Sequence, residues 1–163
     1  MNEFKGYRNG VDLGGWLSQC GYEKEHIESF ITEADIARIA SWGCDHVRLP
    51  FDYNIILDDS GNVLESGLKL LERCADWCGV HGLSIILDLH KTMGFSFDKG
   101  EQESGFFEDQ RYQDIFVNLW SHIAKRFGNR NYVAFELLNE ITERRFAEIW
   151  NRIAARAITE IRR

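Results

Sequence analysis

Apolar residues along this chain switch between two spacings, short near-continuous runs and stripes three or four residues apart. Ser84-Ile-Ile-Leu-Asp-Leu89 is of the first kind, as expected for a strand of a parallel sheet buried on both faces. Leu64, Leu68, Leu71, Ala75 and Cys78 form a stripe of the second kind, as do Ile115, Leu119, Ile123 and Phe127, and Phe146, Ile149, Ile153, Ala157 and Ile161. The pattern predicts strands near Gly10–Leu13, His46–Leu49, Ser84–Leu89 and Val133–Leu138. It predicts helices over Thr32–Trp42, Leu64–His81, Gln110–Phe127 and Arg144–Arg162. Punctuation agrees: Thr32-x-x-Asp35 reads as a capping box, and Gly43, Gly82 and Gly128 stand where helices stop. The single proline, Pro50, is expected to end a strand.

Strictly alternating strands and helices predict an α/β fold of four βα units in one domain, residues 1–163, with no linker or repeat boundary inside it. A complete (β/α)₈ barrel takes about 250 residues. Four units in 163 residues therefore predict a (β/α)₄ half of a TIM barrel, a parallel sheet with outer helices. A flat doubly wound sheet would carry a glycine-rich phosphate loop after its first strand. Gly14-Gly15-Trp16 is too short and bulky for that.

Composition, 44% hydrophobic and 28% charged, suits one globular core. A net charge of −7 disfavours nucleic acid and anionic membranes as partners but is indifferent to a neutral substrate. The N-terminus shows no apolar signal segment, and no stretch approaches the roughly 18 apolar residues of a membrane span. A soluble, cytoplasmic protein is expected as encoded, with export of a longer parent left open. Cys20, Cys44, Cys74 and Cys78 lack the paired spacing of a zinc site and read as buried free thiols. No cofactor and no metal are expected, since Asp88 and His90 have no evident third ligand.

Barrel enzymes gather their chemistry at the C-terminal ends of strands. Those ends read Asp12-Leu-Gly-Gly-Trp16, Arg48-Leu-Pro-Phe-Asp-Tyr53, Asp88-Leu-His-Lys91 and Asn139-Glu140. Carboxylates with aromatics and no metal cluster fit glycoside hydrolysis, where one carboxylic acid protonates the leaving oxygen and a second carboxylate attacks or activates water. Glu140 is the candidate acid and Asn139 the candidate donor to a neighbouring hydroxyl. Arg48 would fix or ionise a carboxylate, and His90 would bond sugar hydroxyls or the acid. Trp16 is the candidate sugar-binding aromatic, with Tyr53, Phe95, Phe97, Phe106 and Phe107 as further platforms.

At these residues the chain resembles glycoside hydrolase family 5, in particular its cellulase-like endo-β-1,4-glucanases. The resemblance rests on Gly-Val-Asp-Leu-Gly-Gly-Trp at 10–16, Asp-His-Val-Arg-Leu-Pro-Phe-Asp-Tyr at 45–53, Leu-Asp-Leu-His at 87–90 and Phe-Glu-Leu-Leu-Asn-Glu at 135–140. It implies a retaining mechanism on β-glucan or cellooligosaccharides, with Glu140 as general acid/base and Arg48, His90 and Asn139 in support. It also implies a nucleophilic glutamate on strand seven, beyond the four units read here. Little or no hydrolysis by a single chain is therefore expected.

An open half barrel leaves strand edges and an inner face, expected to be apolar, that call for a partner. A homodimer closing eight strands, or a complementary C-terminal half barrel, is the expected assembly. A non-catalytic half-barrel or carbohydrate-binding module is the rival to an enzyme.

Overall fold

The computed structural model describes residues 5–98 and 104–163. Residues 1–4, part of the segment read above as lacking a signal, lie outside the described residues. Four strands, β1 (Gly10–Asp12), β2 (His46–Asp52), β3 (Ser84–Lys91) and β4 (Val133–Glu136), form one parallel sheet in the order β1-β2-β3-β4. Among the described residues six α-helices accompany them: α1 (Lys24–Ser29), α2 (Glu33–Ser41), α3 (Tyr53–Ile56), α4 (Glu65–Val80), α5 (Gln110–Phe127) and α6 (Ala147–Ile161). A 3₁₀ turn, Arg144–Phe146, leads into α6. Sequential parallel pairing with a helical crossover after each strand is half of a (β/α)₈ barrel.

Strand register explains how the two faces differ. Val47, Leu49, Ile85 and Leu87 point to the helix side, where each is fully buried, and Phe135 meets Trp120 of α5 there with ring centroids 5.6 Å apart. The other face, the barrel interior, carries Asp12, Arg48, Asp88 and Glu136 toward the strand ends. This corrects the expectation of an apolar inner face: its upper layer is charged, because the functional groups of a barrel stand on that side.

Pro50 does not end β2; the strand runs through it to Asp52. Arg48 O accepts from Leu13 N and Asp52 N donates to Leu17 O, so position 50 faces β1 as well. There β1 has already ended, and the missing N–H forfeits no ladder bond. β4 is shorter than predicted. Asn139 N donates to Leu89 O at 3.2 Å where the register calls for Leu138 N, so pairing with β3 slips by one residue after Glu136, while Leu137 O, on the side away from β3, accepts from Trp120 Nε1 at 3.1 Å.

The capping box forms, with the Asp35 carboxylate accepting from Thr32 N at 2.9 Å. Gly43 and Gly82 take the left-handed conformation that helix stops favour, whereas Gly128 stays right-handed. Helices α1 and α3 are too short to show a period. Where α3 crosses α4, Gly67 lets the backbones touch: a Cβ there would lie 2.3 Å from Ile55 O. Of the four cysteines, all free, Cys74 and Cys78 are buried on α4, while Cys20 and Cys44 are only partly covered. Among the described residues no helix is long and apolar enough to cross a membrane.

Candidate active site

Arg48 organises the strand ends. Its Nε and Nη2 donate in a fork to Glu136 Oε2 and Oε1, both at 2.8 Å, and Nη1 donates to Asp12 Oδ1 at 3.1 Å. Nη2 also lies 2.9 Å from Asp88 Oδ2 and donates to Asn139 Oδ1 at 3.0 Å. One guanidinium thus joins β1, β2, β3 and the segment after β4. The planar fork fits a carboxylate in a way an ammonium could not. The Glu136 hydrogen bonds, against the cost of burial, hold Arg48 more firmly protonated than usual, with Asp88 and Asp12 adding to the effect.

Asp88 is fully buried and passes the interaction on, since Oδ2 also accepts from His90 Nδ1 at 2.7 Å. That bond leaves Nε2 as the ring's remaining polar atom. Burial raises the Asp88 carboxyl above its usual range, opposed by its bond to His90. Burial works to lower the His90 pKa, but the hydrogen bond and charge of Asp88, with Asp52 behind it, outweigh this and raise it.

A raised pKa favours the protonated native state, so the contribution of His90 is fully present below about pH 6.5 and fades as pH rises through the higher folded value. The stability advantage of the native sequence over His90→Asn is accordingly expected to be largest at acid pH. It should shrink above neutrality by at most about 1.4 kcal/mol per pH unit. Urea unfolding of both proteins at several pH values measures this, and an advantage that grows with pH would contradict it.

Asn139 is buried, its Oδ1 taken by Arg48, while its Nδ2 has no partner among the described residues. An unpaired buried donor costs about 1–3 kcal/mol and is relieved by an incoming acceptor such as a hydroxyl. Glu140 follows in the left-handed region at φ 46° and is exposed. Backbone strain of this kind at a non-glycine residue is typical of functional turns. Here it turns the Glu140 carboxylate away from the strand line, into a pocket of about 120 Å³ shared with Phe95, Phe97 and Phe146.

A second cluster lies beside His90. Asp52 accepts from Ser18 Oγ at 2.8 Å, Gln19 N at 3.2 Å and Tyr22 OH, and Lys91 Nζ stands 3.7 Å away. Lys91 also pairs with Asp98 at 3.0 Å, tying the loop after β3 down. Gln19 and Tyr22 adopt positive φ to deliver these donors.

The structure therefore brings Arg48, His90 and Asn139 together, with Glu140 next in sequence. Trp16 is a correction. It is fully buried, donates through Nε1 to Ile27 O at 2.9 Å and stacks on Trp77, so it offers no face to a sugar. Phe106 and Phe107 are core residues too. Sequence reasoning missed Glu136. A carboxylate inside the apolar run 133–138 needs a cation beside it, and Arg48 is the one guanidinium carried by the strands among the described residues. Among the described residues no group of three or more His, Cys, Asp or Glu could hold a metal ion.

Residues 8–163 match the family model described as cellulase, glycosyl hydrolase family 5. Cellodextrinase A of Ruminococcus flavefaciens is 47% identical over 164 residues, covering 100% of this chain and 49% of its own length. Endoglucanase C of Acetivibrio thermocellus is 44% identical over 160 residues, covering 96% of this chain and 46% of its own. The solved structure of a hyperthermophilic endo-β-1,4-glucanase in complex with substrate superposes with a TM-score of 0.77 at 20% identity, over 97% of this chain and 48% of that one. The chain spans about half the length of the relatives it matches. With the family model covering nearly every residue, the chain belongs to the cellulase family of glycosyl hydrolases, family 5.

Proposed function

We propose that these residues form the acid/base side of a retaining site that hydrolyses β-1,4-linked glucan or cellooligosaccharides. The observation that carries the reading is Glu140, exposed at a strained turn directly after Asn139, which Arg48 holds. In this reading Glu140 protonates the glycosidic oxygen as the bond breaks and then deprotonates the water that releases the sugar. Asn139 Nδ2 donates to the hydroxyl next to the scissile bond, and His90 Nε2 meets a further hydroxyl. Arg48 keeps Asn139 oriented through its bonds to Glu136 and Asp88.

A retaining mechanism also needs a nucleophile about 5–5.5 Å from the acid/base. The family carries it on the seventh strand, so it comes from βα units other than the four described here. Those units would also pair the β1 and β4 edges. A complementary C-terminal half would supply both, whereas a second copy of this chain would pair the edges but repeat Glu140 at the eighth strand instead of placing a carboxylate on the seventh. A solution mass near twice 19.0 kDa for the 163-residue chain would indicate closure by a second copy.

The reading is tested by following the anomeric protons of cellotetraose by NMR during hydrolysis by the barrel completed with the units that carry the nucleophile. The β-anomer is expected to appear first and the α-anomer only by mutarotation. An α-product formed first would overturn retention, and binding without cleavage would leave a carbohydrate-binding role.

A further inference from the structure

Phe97 touches both parts of the candidate site. Its ring meets His90 edge-on, with centroids 6.0 Å apart at 88°, and it lines the pocket that holds Glu140. It stands on the loop after β3, and Asp98 is the next residue. That carboxylate is tied twice: Oδ2 lies 3.0 Å from Lys91 Nζ, and Oδ1 accepts from Gln19 Nε2 at 3.0 Å. Gln19 N donates in turn to Asp52 Oδ2 at 3.2 Å, and the same oxygen is 3.7 Å from Lys91 Nζ. Gln19, Asp52, Lys91 and Asp98 thus close a ring that joins the end of β2 to the loops after β1 and β3.

We propose that Lys91 and Asp98 are positioning residues, whose ion pair holds Phe97 on the edge of His90 and so fixes the direction of its Nε2. This deepens the role given to His90 above and rests on that reading for its purpose, though not for its test. The bond from Nδ1 to Asp88 pins one atom of the imidazole, which leaves the ring free to rock about that bond. A contact on the ring edge removes this freedom and keeps water from the buried hydrogen bond, which strengthens it.

Lys91 is suited to the task by its burial. It is 4% exposed, and an ammonium so placed needs carboxylates beside it. Turning it outward would strip Asp52 and Asp98 of a shared cation, so the pair holds the loop in one place. The loop itself is a closed turn: Thr92 and Phe95 exchange backbone hydrogen bonds at 3.1 and 2.9 Å, and Asp98 N donates to Ser96 Oγ at 3.2 Å. The charges that bear on His90 are Asp88 on its own strand and Asp52 and Arg48 on β2, while Glu140 shares a pocket with Phe97.

The test follows the His90 ring by NMR through a pH titration of the native chain, Lys91→Met, Asp98→Asn and Phe97→Ala. The first two substitutions change charge in opposite senses. By charge alone, Lys91→Met would raise the His90 pKa and Asp98→Asn would lower it. If the pair acts by holding Phe97, both uncover the ring edge, and because burial disfavours the imidazolium both raise the pKa, by about half a pH unit. Phe97→Ala should do the same alone. Solvent screens the direct charge effect of Asp98, whose side chain is 25% accessible. The nuclear Overhauser contact between the Phe97 and His90 rings is expected in the native chain and lost in Lys91→Met and Asp98→Asn. Shifts of opposite sign, an unmoved His90, or a ring contact that survives both substitutions would overturn the proposal. Should Lys91→Met fail to fold, Asp98→Asn and Phe97→Ala decide: a rise in both upholds the proposal, and a fall or no change in either overturns it. No substrate is cleaved in these measurements, so a failure of the hydrolytic reading is seen separately.

Discussion

In a barrel completed by the units that carry the nucleophile, Glu140→Gln is expected to lower kcat/KM for cellotetraose by about 10²–10⁴-fold, the range that one positioned general acid or base contributes. Glutamine keeps the size and hydrogen-bonding reach of the side chain but has no proton to give. An unactivated sugar alkoxide leaves poorly without that proton. Dinitrophenolate, by contrast, leaves readily as the anion, so the first step on 2,4-dinitrophenyl cellobioside should survive the substitution. Release of the glycosyl-enzyme still needs a base to activate water, so a burst of dinitrophenol followed by slow turnover is the expected time course. Similar losses on both substrates, with no burst, would remove Glu140 from the acid/base role. The backbone at Glu140 already holds φ at 46°, which glutamine tolerates no worse than glutamate. A change in thermal stability is therefore not expected, and near-equal Tm values separate lost chemistry from lost folding.

The fold was legible where burial imposes a period. Leu68, Leu71, Ala75 and Cys78 face the core of α4 as their spacing required, and the strands of the sheet fall where the apolar runs lie. Legibility stopped where a local bond overrides the pattern. Leu137 and Leu138 look like strand, yet Asn139 N takes the Leu89 carbonyl in place of Leu138 N, and the slip ends β4 at Glu136. Pro50 looked like a terminator because sequence cannot tell which neighbour its absent N–H would face.

The candidate site was legible in its residue types more than in its wiring. Arg48, His90, Asn139 and Glu140 stand at strand ends, as barrel topology requires. That Glu136 and Asp88 divide Arg48 between them depends on the lateral register of β2, β3 and β4, and no single strand encodes it. Trp16 was misread for the same reason. Its partners are Ile27, on a six-residue helix that shows no period, and Trp77, on a helix sixty residues away in sequence. An aromatic just past a strand end can face the mouth or the core, and only its hydrogen-bond partner decides.

The charged layer makes the second large effect predictable. Arg48→Met leaves Asp12, Asp88 and Glu136 facing one another without their shared cation, and Asp88 is fully buried. Breaking a buried ion pair by removing one partner costs about 3–5 kcal/mol. Arg48 and Glu136 retain some exposure, with side chains 24% and 37% accessible, so solvent screening places the expected loss near the lower end. Two further variants separate charge from shape. Arg48→Lys should recover only part of the stability, because a lysine cannot make the paired contact to Glu136. Asp88→Asn added to Arg48→Met should recover a share as well, since it removes the most deeply buried of the three carboxylates, left with His90 as its remaining partner, and a double-mutant cycle reads that coupling directly. The loss in Arg48→Met should also narrow as pH falls below about 4, where carboxylates without a cation take up protons more readily than in the native protein. Urea unfolding of the five proteins, the single variant Asp88→Asn included, at pH 7 and at pH 4 tests all of this. If Arg48→Met stays within 1 kcal/mol of the native protein, or if Asp88→Asn deepens its loss, the guanidinium is not what holds these four strand ends together.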